Sequence, residues 1–162
     1  MTTIDNQTYF KAIYAVFAGG FVLQFAPYMW MISFPTLIVV MIILHQKRTA
    51  VTGTVYESHA RWMIRTCWIG IGVIMPIALT LLSIAFHLGA DRKPLIGIAQ
   101  SGAEITDQVL QDTIMEPNAQ YLTTLMTITF ISIAAWWLWR CWAGYKHLHA
   151  GQAVPYVKRF WY

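Results

Sequence analysis

Charge is what this sequence has least of. Asp, Glu, Lys and Arg make up 11% of its 162 residues, against 57% apolar residues, where soluble domains run near a quarter charged. No charged residue stands in the middle of any long apolar run, which argues against the intramembrane carboxylates and amines that proton relays and ion pumps use. There are two cysteines, Cys67 and Cys141. Both fall near span ends that the charge pattern assigns to a reducing compartment, so they read as small buried thiols and not as a disulfide. A nucleophile elbow, a phosphate-binding glycine loop and paired buried carboxylates are all missing. Residues 1–8 are polar and carry Asp5 instead of a basic n-region, with no small-residue cleavage pattern, so a removable signal peptide is not expected. These absences leave no catalytic residue, cofactor or metal to assign.

What is present is four apolar stretches, over residues 9–25, 28–45, 63–88 and 119–139. At roughly 1.5 Å per residue each can cross or nearly cross a hydrocarbon core about 30 Å thick. The expectation is an all-α membrane protein: one integral domain over 1–162, built as a four-helix transmembrane bundle. An outer loop over 89–118 and a tail over 140–162 complete it. The first two stretches meet at Ala26-Pro27, which predicts a tight antiparallel hairpin. Both are short, so a re-entrant pair is the alternative to full crossing.

Charge orients the bundle. Lys11, Lys47, Arg48, Arg61, Arg65, Arg140, Lys146, Lys158 and Arg159 flank one side, and only Arg92 and Lys93 lie in the loop over 89–118. That asymmetry predicts both termini and the 46–62 loop in the cytoplasm. The net charge of +4 is then a topology signal. It implies anionic lipid headgroups as partners and no nucleic acid. Trp136, Trp137, Trp139 and Trp142 crowd the cytoplasmic end of the last span, with Trp62 and Trp68 at the same level and Tyr28 and Trp30 opposite, as an interfacial aromatic belt requires.

Pro35 and Pro76 fall inside spans, where a missing amide predicts kinks. Gly19-Gly20 and Gly70-x-Gly72 offer flat surfaces for close helix contact. In the outer loop, Ser101-x-x-Glu104 has capping-box spacing, and Ile105, Val109, Leu110 and Ile114 follow near helical period before Pro117. This predicts a short amphipathic helix over 102–115 with Asp107 and Asp112 solvated.

The densest polar segment runs from Tyr56 to Trp68. Glu57, Arg61 and Arg65 recur every four residues on one helical face, in the favourable Glu-before-Arg order. Trp62 and Met63 turn toward lipid or the bundle, so an interfacial helix leads into the third span, from which Arg65 can snorkel to phosphates. Glu57, Ser58, His59, Arg61, Arg65 and Arg140 form the candidate interface or lipid-headgroup cluster.

Tyr56-x-Ser58-His59 followed by Ile64-Arg65-Thr66-x-Trp68 resembles a family of small bacterial inner-membrane proteins of unknown function, allied to Tic20-like proteins. Arg140, Gly144, Leu148, Gly151 and Pro155 resemble that family's arginine-to-glycine-to-proline ending. Cys67 stands where the family has phenylalanine, the outer loop is longer, and residues 156–162 extend past the usual end. The resemblance implies an inner-membrane location and an architecture more than an activity.

Five histidines remain to be placed. His45, His59, His147 and His149 fall on the cytoplasmic side and His87 on the outer side. His45 and His87 lie at opposite ends of their spans, so they cannot share a haem iron. His147 and His149, even with the two cysteines, lack metal-ligand spacing. His59, set among Glu57, Arg61 and Arg65, suits a headgroup-binding or structural hydrogen-bond role. The hydroxyls within the spans are expected to bond their own helices. The function that follows is a non-catalytic accessory or scaffold subunit of a larger membrane complex. Its partners would be the bilayer and neighbouring membrane proteins, with the basic aromatic tail 158–162 along the membrane surface or against a neighbour. The alternative is a Tic20-like channel or small transporter component, with a path past Gln24, Thr123 and Thr127, and a cytoplasmic metal enzyme ranks last.

Overall fold

A computed structural model describes residues 5–155 except 25, 27, 92, 103 and 105. Pro27, Arg92, Ile105 and the tail 156–162 therefore lie outside the described residues. Helices α1 (Asn6–Leu23), α2 (Trp30–Ala50), α3 (Val55–Ile69), α4 (Met75–Gly89), α5 (Lys93–Ser101), α6 (Asp107–Leu110) and α7 (Ala119–His149) follow in order. π-helical segments lie at Gly70–Ile74 and Gln111–Met115, and no strand occurs among the described residues. Three helices are long and apolar enough to cross a membrane: Met31–Ala50, the continuous Val55–Gly89, and Ala119–His149. The 18-residue α1 is not among them.

The chain divides into two units, residues 1–75 with 132–162, and residues 76–131. In the first, α1 lays down an apolar stripe of Phe10, Ile13, Tyr14, Phe17 and Phe21, the three-and-four spacing of one buried helical face. Leu37, Val40 and Leu44 of α2 meet it, with Ala60, Met63, Ile64 and Cys67 of α3 and Trp137, Cys141 and Leu148 of α7. Trp137 stacks on Phe21 with ring centroids 4.4 Å apart and lies 4.6 Å from Phe17. Its indole Nε1 donates to the Phe17 carbonyl at 3.3 Å. Gly70 makes this possible, since a Cβ there would stand 3.1 Å from Trp137 Cζ3.

Helix α2 runs five residues beyond the end of its apolar stretch. Lys47 and Arg48 occupy its last turn, where cations complement the helix dipole. The hydroxyls of Thr49, Thr52 and Thr54 donate to the carbonyls of Gln46, Thr49 and Val51, satisfying acceptors that a helix end leaves open. Gly53, at φ +78°, turns the chain into α3. Its amide donates to Glu57 Oε2 at 2.9 Å, so the carboxylate ties the turn before the N-cap Thr54 to the first turn of α3.

Neither proline breaks its helix. α2 is continuous through Pro35, with the Thr36 hydroxyl donating to the Ile32 carbonyl at 2.8 Å. Pro76 follows directly on the π segment Gly70–Ile74 and Met75. A π turn re-registers the backbone where proline withholds an amide. Of the glycine pairs, Gly20 and Gly70 make close contacts and Gly19 and Gly72 face open space.

The second unit is joined at one end by Asn118. Its Oδ1 accepts from the Asp91 amide at 2.8 Å, and its Nδ2 donates to the Asp91 carbonyl at 3.1 Å. Tyr121 donates to the Ala85 carbonyl at 2.7 Å, against Gly89. The loop helix differs from the sequence expectation. Ser101 ends α5 instead of capping a new helix, and Glu104 is non-helical. The cap falls at Thr106, whose hydroxyl accepts from the Val109 amide at 3.3 Å, and α6 passes into the π segment Gln111–Met115. Asp91 had already opened α5 by accepting from the Lys93 amide, so Ser101-x-x-Glu104 falls after a helix has formed. Asp107 and Asp112 are exposed.

Candidate functional site: a buried polar joint and a basic groove

Helix α3 has two faces at the basic end of the first unit. His59, Trp62 and Thr66 recur at three- and four-residue spacing and point inward, all buried. Glu57, Arg61 and Arg65, at the alternate spacing, line one open groove.

Inside, His59 is 0% and Arg140 1% exposed. His59 Nε2 lies 3.0 Å from the Gln152 carbonyl and Nδ1 lies 3.2 Å from Tyr14 Oη. A carbonyl can only accept, so Nε2 carries the proton and Nδ1 accepts from the tyrosine hydroxyl; one neutral tautomer satisfies both. The segment it holds is brought back by Gly151 at φ +67°. The Gln152 amide donates to the His147 carbonyl at 2.9 Å, the closing bond of a glycine-terminated helix. The Val154 amide then donates to Ser58 Oγ at 3.0 Å.

Arg140 closes a second set of bonds. Its Nε donates to Thr66 Oγ1 at 2.9 Å, Thr66 donates to the Trp62 carbonyl at 2.8 Å, and Trp62 Nε1 donates to the Arg140 carbonyl at 2.9 Å. The guanidinium carbon sits 3.9 Å from the Trp62 ring centroid and 5.6 Å from that of Trp136. The π faces meet the charge where water cannot. One turn along α7, Gly144 leaves the space that Trp62 and Tyr14 occupy. Each such bond adds only about 0.5–1.5 kcal/mol net, but removing one partner strands a buried polar group. The arrangement is a joint that fixes α1, α3, α7 and residues 151–154 to one another.

Outside, the groove encloses about 620 Å³ between the end of α2 and the start of α3, bounded by Arg48, Thr54, Glu57, Ser58, Arg61, Arg65 and Trp68. Arg61 pairs with Glu57, the one ion pair among the described residues. Next to it an apolar cleft of about 510 Å³ runs along α2 from Gln46 to Phe34, walled by Trp68, Ile71 and Trp137. Trp68 belongs to both.

The six-residue cluster expected from sequence thus divides. Glu57, Ser58, Arg61 and Arg65 line the groove, whereas His59 and Arg140 are buried in the joint. The aromatic belt divides in the same way. Trp139, Trp142 and Trp68 are exposed, but Trp62 and Trp137 are core residues, drawn inward by backbone carbonyls that take their N–H groups. Both cysteines are free and buried. His45 Nδ1 lies 2.9 Å from the Met41 carbonyl of its own helix. Among the described residues no three His, Cys, Asp or Glu side chains group to hold a metal.

Sequence reasoning did not single out Tyr14. An aromatic on an apolar helical face signals core, and its hydroxyl finds His59 only through the fold. Thr66 lies in the polar segment Tyr56–Trp68 and Gly144 and Gly151 in the stretch after Arg140, and the structure brings these two segments together at the joint. Comparison with protein-family models, with characterised proteins and with solved structures found no match to this chain.

Proposed function

We propose that the protein is a non-catalytic multi-pass protein of the bacterial inner membrane that serves as an accessory or scaffold subunit of a larger membrane assembly. In this reading four helices cross, both termini and the basic end are cytoplasmic, and anionic headgroups surround that end. One observation carries the non-catalytic part. The groups that could do chemistry, His59, Tyr14, Thr66 and Arg140, are engaged with one another inside the joint, while the neighbouring large cleft is walled by apolar side chains. A joint of this kind supports a rigid cytoplasmic end on which another subunit can register.

The alternative is a Tic20-like channel or small transporter component past Gln24, Thr123 and Thr127; the hydroxyls of Thr36, Thr80 and Thr124 play no part in it, since they donate to carbonyls of their own helices. Purification in mild detergent followed by native mass measurement tests the accessory role: a stoichiometric co-purifying protein is expected, and a clean monomer overturns it. Single cysteines placed at Thr52 and Gln108 test the topology. Only the second should label from outside the cell, and labelling of both from one side refutes the assignment.

A further inference from the structure

The basic groove and the apolar cleft adjoin through one residue. Trp68 is 62% exposed and walls both. Along α2 the cleft spans residues 34–46, about 18 Å at roughly 1.5 Å per residue. One leaflet of a hydrocarbon core about 30 Å thick is about 15 Å deep. The cleft is therefore about as long as one leaflet and is walled mostly by apolar side chains, with Gln24 also in its lining and His45 and Gln46 at its basic extremity. Directly beyond lie three arginines. Glu57 lines the same groove, where it pairs with Arg61 and also interacts electrostatically with Arg48, so three arginines face one carboxylate and the groove keeps a net positive charge. Arg65 Nε is also buried without a hydrogen-bond acceptor among the described residues. The guanidinium groups of Arg48 and Arg65 line the groove, and a phosphate oxygen accepts from such groups with charge assistance.

We propose that groove and cleft together form a site for one anionic diacyl phospholipid, its phosphate on Arg48 and Arg65 and one acyl chain in the cleft beneath Trp68. The site rests on the reading of the protein as membrane-integral with this end at the headgroup level. It goes beyond a general attraction to anionic lipid by predicting one bound molecule, a dependence on chain length, and two specific arginines. Arg140 and His59 take no part, since both are sealed inside the joint.

The test is native mass spectrometry of the full chain in non-ionic detergent, titrated with dioleoyl phosphatidylglycerol, dioleoyl phosphatidylcholine and dihexanoyl phosphatidylglycerol. One dioleoyl phosphatidylglycerol per chain is expected, held about twenty-five-fold more tightly than the choline lipid, whose quaternary ammonium cancels the charge of its phosphate, at about fivefold for each arginine. The double variant Arg48→Gln/Arg65→Gln should erase that preference while still retaining dioleoyl phosphatidylcholine, which also shows that it is folded. Trp68→Ala should weaken both long-chain lipids, and Lys146→Gln, which removes an exposed charge outside the groove, should change neither.

Equal retention of the glycerol and choline lipids overturns the proposal, and so does an equal loss on Lys146→Gln. Dihexanoyl phosphatidylglycerol binding as tightly as the dioleoyl form overturns it as well, since a phosphate site without an acyl groove then suffices. A clean monomer that still carries one phosphatidylglycerol refutes only the accessory role, and a stoichiometric assembly with no headgroup preference refutes only the lipid site.

Discussion

Gly144→Ala is the most economical probe of the joint, because it adds one methyl group at a place where three helices meet. The added Cβ would stand 2.8 Å from Trp62 Cδ1 and 2.9 Å from its Nε1, and would overlap the Tyr14 hydroxyl. Neither neighbour can retreat without loss. Trp62 holds the Arg140 carbonyl and stacks on its guanidinium, and Tyr14 holds His59. Overpacking of a well-filled core costs about 1–3 kcal/mol, and one or two displaced hydrogen bonds add about 1–2 kcal/mol. The better helix propensity of alanine returns about 1 kcal/mol. The net expectation is a loss of about 1–4 kcal/mol, read from equilibrium unfolding of the full chain in mixed micelles. Tyr14→Phe removes one of the two obstructing groups, so Gly144→Ala/Tyr14→Phe should be destabilised by less than the sum of the single changes. An alanine variant as stable as the parent, or strict additivity in the cycle, would show that the close packing around Gly144 is not as described.

Arg140→Lys should destabilise by about 2–3 kcal/mol, and Thr66→Val by about 1–2 kcal/mol, in the same unfolding assay. A lysine carries the charge but loses both the planar stack on Trp62 and the Nε bond. The double variant should fall short of the sum, and additive effects would mean the pair does not act together. Cys67 and Cys141 should resist a membrane-permeant maleimide until the chain is unfolded, as counted by mass; prompt labelling of either contradicts its burial. Asn118→Ala should cost about 1–2 kcal/mol by loss of its two bonds to Asp91, with faster amide exchange at Asp91 as the local sign. Unchanged exchange there would remove the clasp from the account.

Much of the helical layout was legible in the sequence, because period and hydropathy act locally. The shared face of Glu57, Arg61 and Arg65 is a consequence of spacing alone. What spacing cannot supply is which side of a polar segment turns inward. His59 stands two residues from Glu57, so its spacing leaves a headgroup role and a structural hydrogen bond both open until Tyr14 and Gln152 are brought against it. Arg140 follows an exposed tryptophan and reads as a surface group until Thr66 and Trp62 are brought against it. Trp62 and Trp137 misled for a related reason. An indole is as suited to a core with a carbonyl in reach as to a membrane interface, and only the fold reveals the carbonyls of Arg140 and Phe17. The misplaced cap at Ser101 shows the limit of a short motif: four residues with the right spacing cannot show that another helix already claims the first. Thr54-x-x-Glu57 has the same spacing, and there the carboxylate does reach an amide, that of Gly53 just before the cap.

The π segment at Gly70–Ile74 has a consequence for how the long helix from Val55 to Gly89 is compared with other sequences. A π turn holds more residues than an α turn, so a helical phase counted at the α-helical rate does not carry across positions 70–74. A single helical wheel drawn over the whole length would therefore place residues on either side of the bulge on mismatched faces. A chain one residue shorter between positions 70 and 74 could form the same helix without a bulge and keep both ends in phase. An alignment gap at this place would mark an insertion stored within the helix, and the two halves can change in sequence as separate amphipathic surfaces.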